Sequence, residues 1–166
     1  MSVHLRDIMP ADHGALAALR ADVELQKCLL GTSTIITEPV TDWIARRTDA
    51  GVFQAVVDEA DHFLGYVQLS DQHHANRTAW FGICMVPEAR GKGFGAAAVS
   101  LMLAYAKQEM GLRKVSLKVR ADNPAQRLYT RLGFRKVGVQ VAEYDSGDAF
   151  HDVVLMEHLL HVPEGT

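Results

Sequence analysis

A glycine-rich stretch between two strongly apolar segments constrains this chain more than any other feature of its sequence. The stretch begins at Val86 and reads VPEARGKGFGA, and the apolar run AAVSLMLAYA follows it. Its three alternate glycines, Gly91, Gly93 and Gly95, let the backbone bend tightly and approach a ligand without a Cβ atom in the way. Several N–H groups and the positive end of the following helix can then converge on a phosphate group. The stretch therefore predicts an anion-binding loop where a strand gives way to a buried helix.

Length and composition predict one globular domain over residues 1–166. The chain is 48% hydrophobic and 22% charged, with no linker or repeat to divide it. Charges and a proline within the first twenty residues argue against an export signal, and no long apolar run occurs, so a cytoplasmic protein without a membrane span is expected. Cys28 and Cys84 lie in apolar contexts without metal-site spacing, which predicts reduced, structural thiols.

Charge is distributed unevenly along the chain. The net charge of -3 argues against a protein that mainly binds nucleic acid. Eleven of the 17 Lys and Arg residues nevertheless fall between Arg90 and Lys136, whereas residues 137–166 contain six acids and no Lys or Arg. This pattern suits an anion held in the middle of the chain and a cation held near its end.

Hydrophobic periodicity predicts an α+β fold, in which a mixed α/β sheet is covered by helices on both faces. The predicted order is a strand, two helices, three strands, a helix, a strand, a short helix and two strands. The predicted helices span residues 12–29, 38–47 and 95–110, with a short one opened by Asp122 or Asn123 and closed by Gly133. The last two strands are expected at about residues 134–142 and 150–159.

The glycine loop alone does not decide which kind of anion-binding protein this is. It is not a P-loop, because no Gly-Lys-Ser or Gly-Lys-Thr ends it. Gly91, Gly93 and Ala96 match the loose G-x-G-x-x-A pattern of dinucleotide-binding proteins, so a dinucleotide-binding module is an alternative. Four residues, 87–90, separate the preceding strand from the first glycine, which is unusual for that fold.

A second stretch, Asn123-Pro-Ala-Gln-Arg-Leu-Tyr-Thr-Arg-Leu-Gly-Phe, resolves much of this ambiguity. Together with Arg90-Gly-Lys-Gly-Phe-Gly it resembles the GNAT superfamily of acetyl-coenzyme A dependent N-acetyltransferases, near its ribosomal-protein and polyamine branch. The family's first motif is matched by Arg90, Gly93 and Gly95. Its second motif has an asparagine after a strand and a Leu-Tyr pair shortly before Gly-Phe, and Asn123 and Tyr129 occupy the key positions.

The resemblance implies a central, mostly antiparallel sheet that splays locally to admit acetyl-CoA as cosubstrate. The pyrophosphate would lie on the amides of Gly91 to Gly95, the pantetheine arm would pair with the strand before the loop, and Asn123 would hold that arm. The implied coenzyme-binding residues are Ile83, Cys84, Met85, Val86, Arg90, Gly91, Lys92, Gly93, Phe94, Gly95, Asn123 and Tyr129.

The resemblance also implies a catalytic role for Tyr129, the position where the family places the acid for the departing thiolate. With a thiol pKa of about 8.5 and a phenol pKa of about 10, the hydroxyl would mainly hydrogen-bond to the leaving sulfur. Relatives often carry a glutamate base where this chain has Trp80, so the base is open. The candidates for a base acting through water are His73, His74, Glu143 and Asp145, and those for acceptor binding are Trp80, Glu143 and Asp148.

The expected activity is direct transfer of acetyl from acetyl-CoA to a primary amine, with no covalent enzyme intermediate. The acceptor is expected to be a small-molecule amine or a peptide N-terminus, and a homodimer is possible by analogy with the family. A noncatalytic acyl-CoA-binding sensor is a second alternative, because Trp80 replaces the glutamate. No metal is expected, since His151, His158 and His161 lack zinc-site spacing.

Overall fold

A seven-stranded sheet forms the centre of the protein in the computed structural model, which describes residues 2–31 and 37–161. The strands are β1 Val3–Asp7, β2 Val52–Asp58, β3 Phe63–His73, β4 Thr78–Met85, β5 Lys114–Arg120, β6 Arg135–Asp145 and β7 Phe150–Leu159. The helices are α1 His13–Ala21, α2 Val23–Cys28, α3 Val40–Asp49, α4 Phe94–Gln108 and α5 Ala125–Arg131, with single 3₁₀ turns at Pro10–Asp12 and Pro87–Ala89.

The sheet has the order β1-β2-β3-β4-β5-β7-β6, and five of its six described strand pairs are antiparallel. The single parallel pair, β4 with β5, extends only from Thr78 to Trp80 on β4 and from Lys114 to Ser116 on β5. Beyond those residues the two strands separate. The predicted α+β class and the predicted splay of a mostly antiparallel sheet are thus confirmed. The strands within residues 2–31 and 37–161 do not form the parallel sheet of a dinucleotide-binding module.

Helices cover both faces of the sheet, as predicted. On one face α4 and α5 pack against Phe81, Leu117 and Val119 in the larger core cluster. On the other face α1 and α3 pack against Phe53, Tyr66 and Cys84 in a smaller aromatic cluster. Because side chains alternate along a strand, successive residues within β4, and likewise within β5, point to opposite faces of the sheet. The site described below uses both faces where the strands separate.

The predicted helix over residues 12–29 is interrupted in the structure. Asp22 is extended (φ -75°, ψ 98°), and its Oδ1 accepts a hydrogen bond from the N–H of Leu25 at 3.0 Å, which starts α2 as a separate helix. An aspartate at such a position competes with the helical backbone for its N–H groups. The other predicted helices and the last two strands are present, with ends shifted by at most three residues.

Asp12 links β1 to the start of α1 and gives a test of the fold. This carboxylate is 2% exposed and accepts hydrogen bonds from Arg6 Nη1 at 2.7 Å, Arg6 Nη2 at 3.1 Å and Met9 N at 2.7 Å. Burial acts to raise its pKa, but these hydrogen bonds outweigh burial and lower the pKa below its ordinary value. Asp12→Asn should therefore reduce the free energy of unfolding at pH 7 by about 2–4 kcal/mol.

The sign of the pH effect follows from the lowered pKa. A carboxylate with a depressed folded-state pKa adds stability above its unfolded pKa, and that stability is lost as pH falls through the folded value. Urea unfolding should show a large difference in the free energy of unfolding between the wild type and Asp12→Asn at pH 7. The difference should be smaller at pH 3. An equal difference at both pH values would contradict this role of the charge.

Candidate active site

The separation of β4 from β5 leaves one edge of β4 open. From Phe81 to Met85 the strand pairs with β3 alone, since its pairing with β5 ends at Trp80. Backbone N–H and C=O groups on this edge lack a strand partner within the described sheet. An extended ligand with amide groups could pair with them as an added strand would.

Two cavities meet at this opening. The first, here called the loop cavity, is about 950 Å³ and runs along the glycine loop between α2 and α5. The second, here called the sheet cavity, is about 470 Å³ and lies along β3, β4 and β5. Both are lined by Cys28, Leu29, Ile83, Asn123 and Tyr129, so the two spaces adjoin at these residues.

The glycine loop has the bent backbone that the sequence predicts. Gly91 and Gly93 have φ values of +71° and +85°, and Gly93 is the N-cap of α4. A Cβ atom at Gly91 would meet nothing within 4 Å, so the loop backbone faces open space there. The Arg90 guanidinium donates from Nε and Nη2 to the Met85 carbonyl at 3.1 and 3.0 Å, which ties the loop to the end of β4. Among the residues that the structure describes, no side chain caps the N-terminus of α4, so its first N–H groups can bind an anion.

Helix α2 covers the junction of the two cavities, a feature that the sequence did not reveal. Arg120 of β5 donates from Nη1 to the Lys27 carbonyl at 3.3 Å. Tyr144 of β6 donates its hydroxyl to the Gly31 carbonyl at 2.6 Å. These two long-range bonds hold the C-terminal end of α2, with Cys28 and Leu29, over the opening in the sheet.

Tyr129 lies where the two cavities adjoin. It is 8% exposed, and its ring meets Phe134 edge-on with centroids 5.7 Å apart. Burial, with a smaller effect of Cys84, raises the pKa of Tyr129 to about 12. Within the described parts of the chain its hydroxyl makes no hydrogen bond, so a protonated donor faces the junction. Nearby, Asn123 Oδ1 accepts from Ala125 N at 2.9 Å, which fixes the orientation of that amide.

The sheet cavity is polar on its floor and contains one carboxylate. Its floor is built from side chains of alternate residues on three strands, Gln68 and Ser70 of β3, Trp80 of β4 and Lys118 of β5. Asp71 supplies the one carboxylate among the described lining residues. Its φ is +51°, within an irregular step of the β3–β4 pairing between Ser70 and His73. Its carboxylate can pair with an ammonium group, and the sequence analysis did not include Asp71 among the candidate site residues.

Most of the predicted coenzyme-binding residues come together around the loop cavity. Three do not line it: Val86 donates its N–H to Leu64 O at 2.9 Å, Lys92 is exposed beside the loop, and Phe94 packs against the larger core. The residues that line it are Ile83, Cys84, Met85, Arg90, Gly91, Gly93, Gly95, Asn123 and Tyr129.

Of the three predicted acceptor-binding residues, one lines a cavity and two lie elsewhere on the surface. Trp80, 36% exposed, lines the sheet cavity. Glu143 and Asp148 line neither cavity: Glu143 is exposed on β6, and Asp148 contacts Lys27 Nζ at 3.5 Å and accepts a hydrogen bond from Ser146. Asp148 therefore meets the end of α2 rather than the junction of the cavities.

The other candidate bases lie at strand ends or in the adjoining turn. His73 Nδ1 accepts from Asn76 N at 3.0 Å in the β3–β4 turn, and Asp145 Oδ1 accepts from Gly147 N at 2.8 Å in the β6–β7 turn. Neither residue lines a cavity, nor does His74.

Comparison with known families decides the identity of the fold. A profile described as the acetyltransferase (GNAT) domain matches residues 2–135. The chain belongs to the GNAT acetyltransferase family. The predicted family is confirmed.

Individual GNAT relatives are similar over part of their length. A spermidine N(1)-acetyltransferase from Vibrio cholerae is 33% identical over 102 residues, which are 61% of this chain and 59% of that protein. A mycothiol acetyltransferase from Actinosynnema mirum is 39% identical over 104 residues, 61% of this chain and 33% of that protein. The matched region thus spans less than two thirds of either relative.

The similarity of structure extends further than that of sequence. A crystal structure of spermidine N-acetyltransferase from Vibrio cholerae in complex with CoA and spermine superimposes with a TM-score of 0.88 at 25% identity. The superposition covers 95% of each chain. The GNAT architecture therefore includes β6 and β7, which lie largely beyond the profile match.

Two further observations concern membranes and metals. None of the helices within residues 2–31 and 37–161 is long and apolar enough to cross a membrane. Over the same residues no three His, Cys, Asp or Glu side chains are grouped as metal ligands. His151 and His158 instead contact Ser146 Oγ at 2.9 Å and the Leu132 carbonyl at 3.0 Å.

Proposed function

We propose that this protein transfers the acetyl group of acetyl-CoA to a small primary amine by direct attack, with residues 1–166 acting as one domain. One observation carries the proposal. A cavity along an anion-binding loop adjoins a second cavity, whose described lining has a single carboxylate, and Tyr129 lines both. This arrangement suits two substrates that enter from different sides and react where the cavities adjoin.

The loop cavity offers coenzyme A an anion-binding end and a strand edge for its amide groups, although Asp22 and Glu24 also line it. Its glycine backbone leaves room for a diphosphate at the N-terminus of α4, and Arg90 and Arg131 add positive charge to the lining. The open edge of β4 from Phe81 to Met85 offers backbone partners to an amide-containing arm. Asn123, held by Ala125 N, adds a side-chain amide at the junction.

The chain's own residues supply the remaining chemistry. Tyr129, with its pKa of about 12, stays protonated at neutral pH and can donate a hydrogen bond to the departing sulfur. Asp71 is our candidate for holding the incoming ammonium and receiving its proton, directly or through water. Burial raises the pKa of the Cys84 thiol to about 11, and this residue packs among Trp43, Phe53 and Tyr66. A protonated, enclosed thiol is a poor acyl carrier, which favours direct transfer.

Asp71→Asn tests the role of the carboxylate. Asparagine adopts positive φ readily, so the backbone at this position should survive the change. Loss of the charge should raise KM for a primary amine about tenfold and leave the Kd of CoA unchanged. Initial-rate kinetics should be compared with Asp49→Asn, which removes an exposed carboxylate at the end of α3. Equal amine KM values for the two variants would contradict this role.

A two-step assay tests the proposed function itself. Acetyl-CoA should raise the melting temperature, and NAD should not. Free-thiol release should then be measured with primary amines of several classes, including spermidine. Stabilisation by acetyl-CoA without thiol release for any amine would indicate a sensor, and stabilisation by NAD alone would indicate a dinucleotide-binding protein.

A further inference from the structure

We propose that the amine acceptor also carries a carboxylate, and that Lys118 and Gln68 bind this group in the sheet cavity. The inference rests on the proposed acetyltransferase function and specifies its acceptor class. It assigns to this chain a zwitterionic acceptor of the amino-acid type, in contrast to the polycationic acceptor named for the Vibrio cholerae relatives.

The charges around the sheet cavity favour such an acceptor. The described lining has one carboxylate, Asp71, and one ammonium group, Lys118. Asp22 and Glu24 line the loop cavity instead, on the side assigned to the coenzyme. A polyamine would bring several positive charges to one carboxylate and a lysine, whereas a zwitterion matches both groups.

Lys118 is an exposed lysine that lines the cavity beside an aromatic ring. Its Nζ lies 5.5 Å from the centroid of the Trp80 ring. Both residues alternate with core residues of their strands, so they share the face that carries Gln68. In the described parts of the chain no carboxylate lies within ion-pair distance of Lys118, so its positive charge is available to an anionic group of a ligand. Trp80 thereby acquires a role at the position where relatives often have a glutamate.

Gln68 presents a second donor with a fixed orientation. Its Oε1 accepts a hydrogen bond from Arg47, whose guanidinium lies over the rings of Trp43 at 5.2 Å and Phe53 at 6.0 Å. Because the oxygen is bound to an arginine, the amide nitrogen must face the other way. Nε2 lies above Gly82, where a Cβ atom would be only 2.9 Å from it. The absence of a side chain at Gly82 leaves this NH₂ group open to the cavity.

Matched pairs of amines test the proposal. The kcat/KM of thiol release should be measured for L-ornithine and putrescine, L-histidine and histamine, and L-tryptophan and tryptamine, with spermidine as a polycation. Each pair differs by a carboxylate alone. In at least one pair the amino acid should exceed its decarboxylated amine by about tenfold or more, because charge-assisted hydrogen bonds are lost with the carboxylate.

Variants of Lys118 assign the effect to this residue. Lys118→Met should lower kcat/KM for the preferred amino acid about tenfold and change that of its decarboxylated partner by less than about threefold. Lys118→Glu should reverse the preference within the pair. Lys136→Met, at an exposed lysine of β6 that lines neither cavity, is the matched control and should leave the preference intact. Calorimetry should also be done with the N-acetylated amino acid and the CoA-loaded protein. The Kd of the N-acetylated amino acid should rise about tenfold in Lys118→Met.

The outcomes separate this proposal from the proposed function. Faster turnover of spermidine and of every decarboxylated amine than of the amino acids would overturn the zwitterionic acceptor and leave the acetyltransferase function standing. The same would follow if Lys118→Met behaved like Lys136→Met. Absence of thiol release with all seven amines would overturn both proposals.

Discussion

Replacing Tyr129 by phenylalanine is expected to lower kcat by about 100-fold, because one positioned proton or hydrogen-bond donor contributes on this order. The Kd of CoA should change little, since the ring and its edge-on contact with Phe134 remain. Burial keeps the wild-type phenol protonated, with a pKa of about 12. The loss should therefore be similar at pH 6 and pH 9, and the pH profile should keep its shape.

Steady-state kinetics measures the expected loss of kcat, and calorimetry measures the Kd of CoA. Tyr105→Phe is the matched control, because Tyr105 is a half-buried tyrosine of α4 that lines neither cavity. It should retain wild-type kcat. A kcat for Tyr129→Phe equal to that of the control would remove Tyr129 from the chemistry.

Replacing Gly93 by valine is expected to weaken CoA binding by about 100-fold or more, through loss of several charge-assisted backbone contacts. The backbone there has a φ of +85° at the N-cap of α4. A β-branched residue is strained in this conformation by roughly 1–2 kcal/mol, and the loop should relax away from it. That relaxation would redirect the N–H groups that face the cavity.

Gly111→Val separates the binding effect from general destabilisation. Gly111 follows α4 at its other end and has a φ of +63°, so the same substitution introduces similar strain there. A Cβ atom at Gly111 would meet nothing within 4 Å, and the residue lines neither cavity. Both variants should lose thermal stability, and only Gly93→Val should lose CoA affinity in calorimetry. Retained affinity in Gly93→Val would contradict the assigned role of the loop.

The sequence predicted those features that depend on local chemistry. Alternate glycines at Gly91 and Gly93 predicted the bend that the structure shows, because few other residues adopt positive φ freely. Asn123 followed by Pro124 predicted the start of α5, and the apolar run after Gly95 predicted a buried helix. The second motif placed Tyr129, which the structure brings to the junction of the cavities.

Features that depend on long-range contacts were not predicted. The role of α2 over the opening depends on Arg120 and Tyr144, which lie 93 and 113 residues from their partners. Asp71 enters the sheet cavity through an irregular step in strand pairing, which leaves no periodic signal. Charge alone predicted Asp148 as an acceptor ligand, but the fold pairs it with Lys27. Proximity of this kind arises from packing and cannot be read from spacing.

The position of bound CoA is the most direct test of the account. A crystal structure of the complex should place the diphosphate on the backbone of Gly91 to Gly95 and the arm along β4 between Phe81 and Met85. The sulfur should lie within about 4 Å of the Tyr129 hydroxyl, as a hydrogen bond to sulfur requires. Coenzyme bound on another surface, or a sulfur directed away from Tyr129, would contradict the account.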